Sequence, residues 1–445
     1  MEKNRVIDAF LNYEIRIKSI VFKMVDLIFM LCLFVLSFMI RWKLFPIESA
    51  DYWGFLKVWM DQIKELGGFP SLAKEISNYT SSYMYLMCMV SGIDNTLFAL
   101  KFISVFFDYV ASFAMFAIVY QLTGNTRKAI FGMTALLLCP IVILDSAYWC
   151  QCDIIYTSFI LWALFFFFRD NSRVCFIFLA IAFTFKLQTV FILPFIIIMW
   201  LKKKTVKLYH LVYIPVVFFL FQVPAWLFGR PLKELMLVYF DQSSYYPWGT
   251  LEYPNIYAII DETIDSNHHM YEISGAGTFL AVILLGFIAY YIYTKRIELT
   301  NDLMVTLALF TVAITLYTLP HMHDRYGFLI DLIAIVYFML RPRKLPVSIG
   351  FMFVSICLSM PYLIAYRVME IKYVAMIQLV LIVFVGYDLY KLVSENILPE
   401  PVIEEDIFEE CIEEEGAEEE IIDLGSFNDD SVLDELINIT STPSS

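Results

Sequence analysis

The chain of 445 residues is 60% hydrophobic, 17% aromatic and only 17% charged, with a mean hydropathy of +0.70. A soluble domain is about half apolar and about a quarter charged, so this composition excludes a soluble or a disordered protein and indicates a polytopic membrane protein. The net charge of −14 belongs to one end: residues 398–445 hold 17 Asp and Glu and no Lys or Arg, while the other 397 residues carry 28 acids against 31 bases.

In chain order, residues 1–20 are largely polar and basic (Lys3, Arg5, Arg16, Lys18) and read as a cytoplasmic segment. The apolar run at 22–41 has no small-residue cleavage site after it, so it reads as a retained anchor and not a signal peptide. A spanning helix needs about 20 mostly apolar residues. Further runs lie at 97–122, 128–147, 208–228, 276–294, 301–319, 346–365 and 373–391, with shorter ones at 154–168 and 325–340. Residues 174–201 form one run interrupted by Lys186 and Gln188.

Basic clusters at the N-terminus, Arg127/Lys128, Arg169/Arg173, Lys202–Lys204/Lys207, Lys295/Arg296 and Arg341/Arg343/Lys344 all belong inside by the positive-inside rule. The 174–201 run must then go out and return, with Lys186 near its outer apex, and Tyr79–Ile93 must be non-crossing or re-entrant. The expectation is an all-α transmembrane bundle over 21–397, with about 12 spans, both termini cytoplasmic and external loops at 42–96 and 229–275.

In the first external loop, Trp53, Leu56, Val58, Trp59, Ile63 and Leu66 recur at helical spacing among Lys57, Asp61, Lys64 and Glu65. That pattern predicts an amphipathic helix at 52–66 in the outer interface, ended by Gly67-Gly68. The second loop is rich in aromatic residues (Tyr239, Tyr245, Tyr246, Trp248, Tyr253, Tyr257). These read as an interfacial belt, with stacking on sugar rings as the alternative. The eight cysteines lie mostly inside apolar runs and read as small core packers. Cys150 and Cys152 sit in a polar segment, but a metal pair there lacks two further ligands nearby. No internal repeat is visible.

Charges at membrane depth are costly and mark candidate sites. By this topology Asp51, Asp153, Lys186 and the group His321, His323, Asp324 and Arg325 all reach the outer face, although they are far apart in sequence. Lys186, Arg325 and the two histidines suit an anionic group such as a phosphate. Asp51 could take a proton from an attacking hydroxyl, and Asp153 could orient a substrate hydroxyl or bind a metal. Structural alternatives stay open: Asp51 as a helix N-cap, Lys186 snorkelling to the interface, His321-x-His323 as zinc ligands, and Asp324 with Arg325 as a simple ion pair. Lys101, Asp108 and Asp331 read as partners for neighbouring helices, and His268-His269 as solvated. Asn78-Tyr79-Thr80 and Asn438-Ile439-Thr440 match the glycosylation sequon.

Four segments together carry a resemblance: ADYWGFLKVWMDQIKELGGF (50–69), SAYWCQCDIIYTSF (146–159), FTFKLQTVFILP (183–194) and LPHMHDRYGFLIDL (319–332). The chain resembles the GT-C superfamily of integral-membrane glycosyltransferases over roughly residues 20–340, in the bacterial branch related to the GPI-anchor mannosyltransferases. The resemblance implies a GT-C-like helical bundle with an acidic catalytic residue in the first external loop, at Asp51. His323-Asp324-Arg325 is similar to a His-Glu-Lys motif associated with the donor phosphate. Where relatives usually read W-G-Q-C-D, this chain has Trp149-Cys150-Gln151-Cys152-Asp153, and where many have N-P-P-Y it has Tyr79-Thr80-Ser81-Ser82-Tyr83.

The implied activity is inverting transfer of a hexose (mannose, glucose or similar) from a polyprenyl-phosphate donor to a lipid-linked or cell-envelope acceptor, at the outer face of the plasma membrane. Asp51 is the implied catalytic residue. Lys186, His321, His323 and Arg325 hold the donor phosphate, and Asp153, Gln188 and Asp324 orient substrate. No cofactor, metal or nucleic-acid partner is expected. The acidic tail at 398–445 alternates Glu runs with Ile, Leu and Phe, a pattern of disordered segments that sometimes bind a partner, here a cytoplasmic one. Two rival readings are a flippase for lipid-linked sugars, which predicts two related halves, and a membrane scaffold acting through the tail.

Overall fold

Polar caps punctuate the apolar runs and set where each helix begins. In the computed structural model, which describes residues 2–243, 249–260 and 266–399, the N-terminal segment forms a helix, α1 (Glu2–Leu11), and an antiparallel hairpin, β1 (Glu14–Ile17) with β2 (Ile20–Lys23). The first apolar run follows as α2 (Met24–Leu44). A π-helical turn at Tyr52–Leu56 leads into α3 (Lys57–Glu65), and α4 (Ser81–Val90) precedes α5 (Thr96–Thr123). Asn95 caps α5 by accepting from the Phe98 N–H, and Gly124 at φ +62 closes it onto Tyr120; glycine tolerates that left-handed position without a Cβ clash. Asn125 caps α6 (Thr126–Leu137) in the same way.

Past α6, α7 (Pro140–Ile143) runs into a second π-helical turn at Leu144–Trp149. Then come α8 (Asp153–Phe168), α9 (Ser172–Phe185), α10 (Leu193–Lys202) and α11 (Tyr213–Leu227). α12 (Leu232–Ser243), β3 (Thr250–Leu251) and α13 (Tyr257–Ile260) belong to the second loop, and α14 (Ser266–Thr294) and α15 (Asn301–Thr318) follow. β4 (Met322–His323) pairs in parallel with β3 before α16 (Phe328–Leu340), α17 (Leu345–Ile364) and α18 (Ile371–Glu395).

Among the described residues seven helices are long and apolar enough to cross a membrane, or eight if α6 and the bent segment Pro140–Trp149 form one span. The chain is therefore an all-α helical membrane protein. The expected twelve spans also count α8, α9, α16 and the helix Leu187–Lys202, in which α10 continues a 3-10 turn; at about 1.5 Å per residue these four fall short of a 30 Å core. The 174–201 run breaks at Lys186, whose backbone is extended at φ −149 and ψ 139. α4, at ten residues, is about 15 Å long and cannot cross, as expected of Tyr79–Ile93.

The intramembrane charges Lys101, Asp108 and Asp331 are buried and partnered. Arg41 Nε lies 2.7 Å from Asp108 Oδ2, which also accepts from Ser146 Oγ at 2.6 Å, tying α2, α5 and the second π turn together. Lys101 Nζ donates to the carbonyls of Leu44 and Ile47, and Ser355 Oγ donates to Asp331 at 2.6 Å. α11 contains Pro224, and the Tyr85 hydroxyl from α4 enters its ladder there, donating to the Phe221 carbonyl at 2.6 Å and accepting from the Ala225 N–H at 3.2 Å. A helix with an interrupted ladder is tolerated in a membrane when a neighbour satisfies the freed groups.

Two expectations change. The first-loop helix buries Tyr52, Leu56, Trp59, Met60 and Ile63 while Trp53 and Val58 face outward; the wider π turn at 52–56 shifts the phase of the apolar stripe. Gly67 and Gly68, at φ +81 and +82, do end it. Tyr239, Tyr253 and Tyr257 are buried and do not form a belt. Their hydroxyls bond inside the bundle, Tyr239 to the Phe183 carbonyl, Tyr257 to that of Thr318, and Tyr253 with the Gln378 amide. Tyr245, Tyr246, Trp248, the side chains of His268 and His269, the second sequon and the acidic tail lie outside the described residues.

Candidate active site

Breaks in the helices bring the polar groups together. The residue before the first π turn (Asp51), the strap after the second (Trp149 to Gln151), the extended residue after α9 (Lys186) and the turn before α16 (His323, Arg325) line one cleft of about 270 Å³. Non-helical backbone at membrane depth is tolerated where it is buried in protein or lines a cavity, and these breaks meet that condition.

Asp51 does not cap the helix that it precedes. Ser49 does that work: its Oγ accepts from the Tyr52 N–H and donates to the Trp149 carbonyl at 2.7 Å. The Asp51 carboxylate is held instead by the 149–151 strap, with Trp149 Nε1 at 2.9 Å and Gln151 Nε2 at 2.5 Å, both on Oδ2. Oδ1 accepts no hydrogen bond among the described residues. The strap is itself pinned: Asp145 O accepts from the backbone N–H groups of Cys150 and Gln151, and Ser104 Oγ donates to Gln151 O. Cys150 sits at φ +68, a conformation costing a residue with a Cβ roughly 1–2 kcal/mol. Its position is the one where the resembled motif has glycine.

Lys186 does not snorkel. Its ammonium lies 2.7 Å from Asp153 Oδ1, with the Tyr79 and Tyr156 rings at 5.6 and 5.9 Å. Asp153, 1% exposed, lies behind the cleft wall as the counter-ion of Lys186. Arg325 stacks on Trp149 at 5.0 Å and stands 3.7 Å from Asp51 and 4.0 Å from both Asp153 and Asp324. Its Nε and Nη1 are buried yet make no hydrogen bond. Donors left unspent inside a protein are rare and call for an explanation.

The two histidines part company. His323 lines the cleft and its Nδ1 bonds Asp324 Oδ1. Burial first, then the charges of Arg325 and Lys186, push its pKa down to about 3. A neutral ring that donates from Nδ1 to Asp324 presents Nε2 as an acceptor. His321 does not join the cleft; at φ +60 its ring turns to Ser274 Oγ, 2.9 Å from Nε2. Among the described residues no three His, Cys, Asp or Glu side chains are grouped to hold a metal. Asp324 is buried beside His323 and Arg325 and is not among the residues that line the cleft; its carboxylate bonds His323 Nδ1 and lies 4.0 Å from Arg325 Nε. Gln188 lines the cleft as expected, as does Tyr326.

Some residues escaped the sequence reading. Gln151 and Trp149, the holders of Asp51, were visible only as part of a motif. Asp145, buried with Oδ2 unpartnered, interacts with Asp153, Arg325 and Lys186. It is the only charge within the 128–147 run beyond its first residue, a signal that intramembrane charge would have flagged. No protein-family model matches the chain, and a search of curated proteins finds none similar to it.

Proposed function

We propose that the protein is an inverting glycosyltransferase of the GT-C type, moving a hexose from a polyprenyl-phosphate donor to a lipid-linked or cell-envelope acceptor. In this reading twelve segments cross the membrane, both termini are cytoplasmic, and the cleft opens at the outer face. The observation that carries the reading is Arg325, a partly exposed side chain that lines the cleft while its buried Nε and Nη1 make no hydrogen bond. A phosphate oxygen satisfies a guanidinium donor with a charge-assisted hydrogen bond, and Lys186 supplies a second cation in the same cleft.

Chemically, the acceptor hydroxyl gives its proton to Asp51 Oδ1 as its oxygen attacks the anomeric carbon. The bond from that carbon to the phosphate oxygen breaks on the opposite side, and its electron pair leaves with the phosphate. Asp51 is fit for this because both its donors occupy Oδ2, which fixes the carboxylate and leaves Oδ1 to accept. Arg325 and Lys186 stabilise the charge that develops on the phosphate. Their counter-ions are Asp51 for Arg325 and Asp153 for Lys186. His323, with Nε2 as an acceptor, suits a sugar hydroxyl better than an anionic oxygen, which revises its expected phosphate role.

The test is transfer by the purified full chain in lipid nanodiscs, supplied with a panel of polyprenyl-phosphate hexoses and acceptor glycolipids, with and without EDTA. Release of polyprenyl phosphate with inversion at the anomeric carbon is expected. Failure of every polyprenyl-phosphate sugar to bind overturns the reading.

A further inference from the structure

The N-terminal helix α1 has an apolar face that the described residues leave uncovered. Val6, Ile7, Phe10 and Leu11 share one side of the helix, and Arg5 and Asp8 lie on the other. Every side chain from Arg5 to Phe10 is exposed, Val6 by 70% and Phe10 by 54%. A helix of ten residues is too short to hold by itself in water, where about 12–15 are needed even for good helix formers. α1 therefore requires a surface to pack on.

The fold decides where that surface lies. The N–H of Met24, the first residue of α2, donates to the Tyr13 carbonyl at 2.9 Å, and the Lys23 ammonium donates to Asn12 Oδ1 at 3.0 Å. The end of α1 is thus tied to the first turn of an apolar span, where that span enters the membrane. The intervening hairpin is fixed at the same level, with the Tyr120 hydroxyl on the Ser19 carbonyl at 2.9 Å and the Phe22 ring stacked 5.8 Å from Phe116. Charge gathers there too. Residues 5–23 hold four bases against two acids, and α6 starts beside them, its Arg127 standing 3.7 Å from Asp26 of α2. Arg5, Arg16, Lys18, Arg127 and Lys128 are all exposed.

We propose that α1 is an interfacial helix whose partner is the bilayer surface: its apolar face lies at the headgroup–acyl boundary, and the bases around it take anionic lipid headgroups. A short amphipathic helix gains its packing by burying its apolar stripe at that boundary, and nearby bases add attraction to an anionic leaflet. Tyr13, just past the helix and 62% exposed, carries the kind of ring favoured at this depth. Lipid adjoins the face in every copy of the chain, because α1 is tied to the point where α2 enters the bilayer; a protein partner would have to displace it. The assignment holds whether or not the protein transfers sugar.

Amide hydrogen exchange on the full chain tests this, in nanodiscs of zwitterionic lipid alone and in discs with a third of anionic lipid. In the anionic discs the amides of residues 6–11 should exchange at least about tenfold more slowly than those of an unstructured chain, and in the zwitterionic discs faster than in the anionic ones. Ile7→Gln with Phe10→Gln removes the apolar face without lowering helix propensity; it should return these amides to the unstructured rate while α5 stays protected. Arg16→Gln with Lys18→Gln should narrow the difference between the two kinds of disc. Exchange at the unstructured rate in both discs overturns the proposal, and so does protection that survives the glutamines. Protection lost on deleting residues 398–445 would give the face to the acidic tail, and protection found only in discs holding two chains would give it to a second copy; either result overturns the lipid assignment. Equal protection in both discs would overturn the anionic preference.

Discussion

Replacing Asp51 by Asn removes the proposed base and keeps the shape of the side chain. The substitution is isosteric, and the two donors on Oδ2, Trp149 Nε1 and Gln151 Nε2, force the Asn to turn its carbonyl oxygen toward them. Its NH2 group then occupies the place of Oδ1, where it can donate but cannot accept a proton. A positioned general base contributes about 10²–10⁴ in rate, so kcat should fall by that factor, about 3–5 kcal/mol in barrier height. Stability should hardly move: the contact with Arg325 is 3.7 Å long and partly exposed, which places its worth at about 0–1 kcal/mol. The assay is single-turnover transfer from a polyprenyl-phosphate hexose in nanodiscs, with donor binding measured in parallel. A kcat within tenfold of the parent, in a variant that binds donor normally, would refute the assignment.

Other consequences follow from the same contacts. Lys186→Met leaves Asp153 buried without its 2.7 Å partner; breaking such a pair costs about 3–5 kcal/mol. Thermal unfolding should show a large loss that the double change with Asp153→Leu largely restores, and no restoration would refute the pairing. At Cys150 the φ of +68 should make Gly tolerated and β-branched Val strongly destabilising; a Val variant more stable than the Gly variant contradicts the backbone account. His323 has a folded pKa of about 3, below the ordinary 6.5 of the unfolded chain. Between those values the unfolded state binds the extra proton, so stability rises with pH and is lost progressively as pH falls below about 6.5. His323→Gln should flatten that part of the stability–pH curve, and an unchanged slope would show that His323 does not cause it.

Much of the site was legible residue by residue. Asp51, Lys186, Gln188, His323 and Arg325 stand out because the membrane makes polar groups conspicuous, and all five line the cleft. What spacing could not supply was direction. His321 and His323 are two apart and chemically identical, yet one φ of +60 sends the first to Ser274 and leaves the second at the cleft. Asp153 and Asp324 carry the charge of a substrate-binding group, but both are buried behind the cations that they orient. The tyrosines of the second loop have a belt's composition, and only packing reveals that their hydroxyls bond inward.

From composition and hydropathy alone the chain had to be a helical membrane protein, because 60% apolar residues in runs of about 20 can satisfy their backbone in lipid only as helices or closed barrels, and these runs have helical length. The sequence also singled out its costly charges. The tertiary structure decided which of them meet, which oxygen of Asp51 is held and which is open, and that Arg325 keeps unspent donors. Those outcomes depend on through-space distances among segments apart in the chain, 33 residues for Asp153 and Lys186 and 98 for Asp51 and Trp149. Periodicity reports which face of one helix is apolar, and it carries no information about which side chain of another helix will stand opposite.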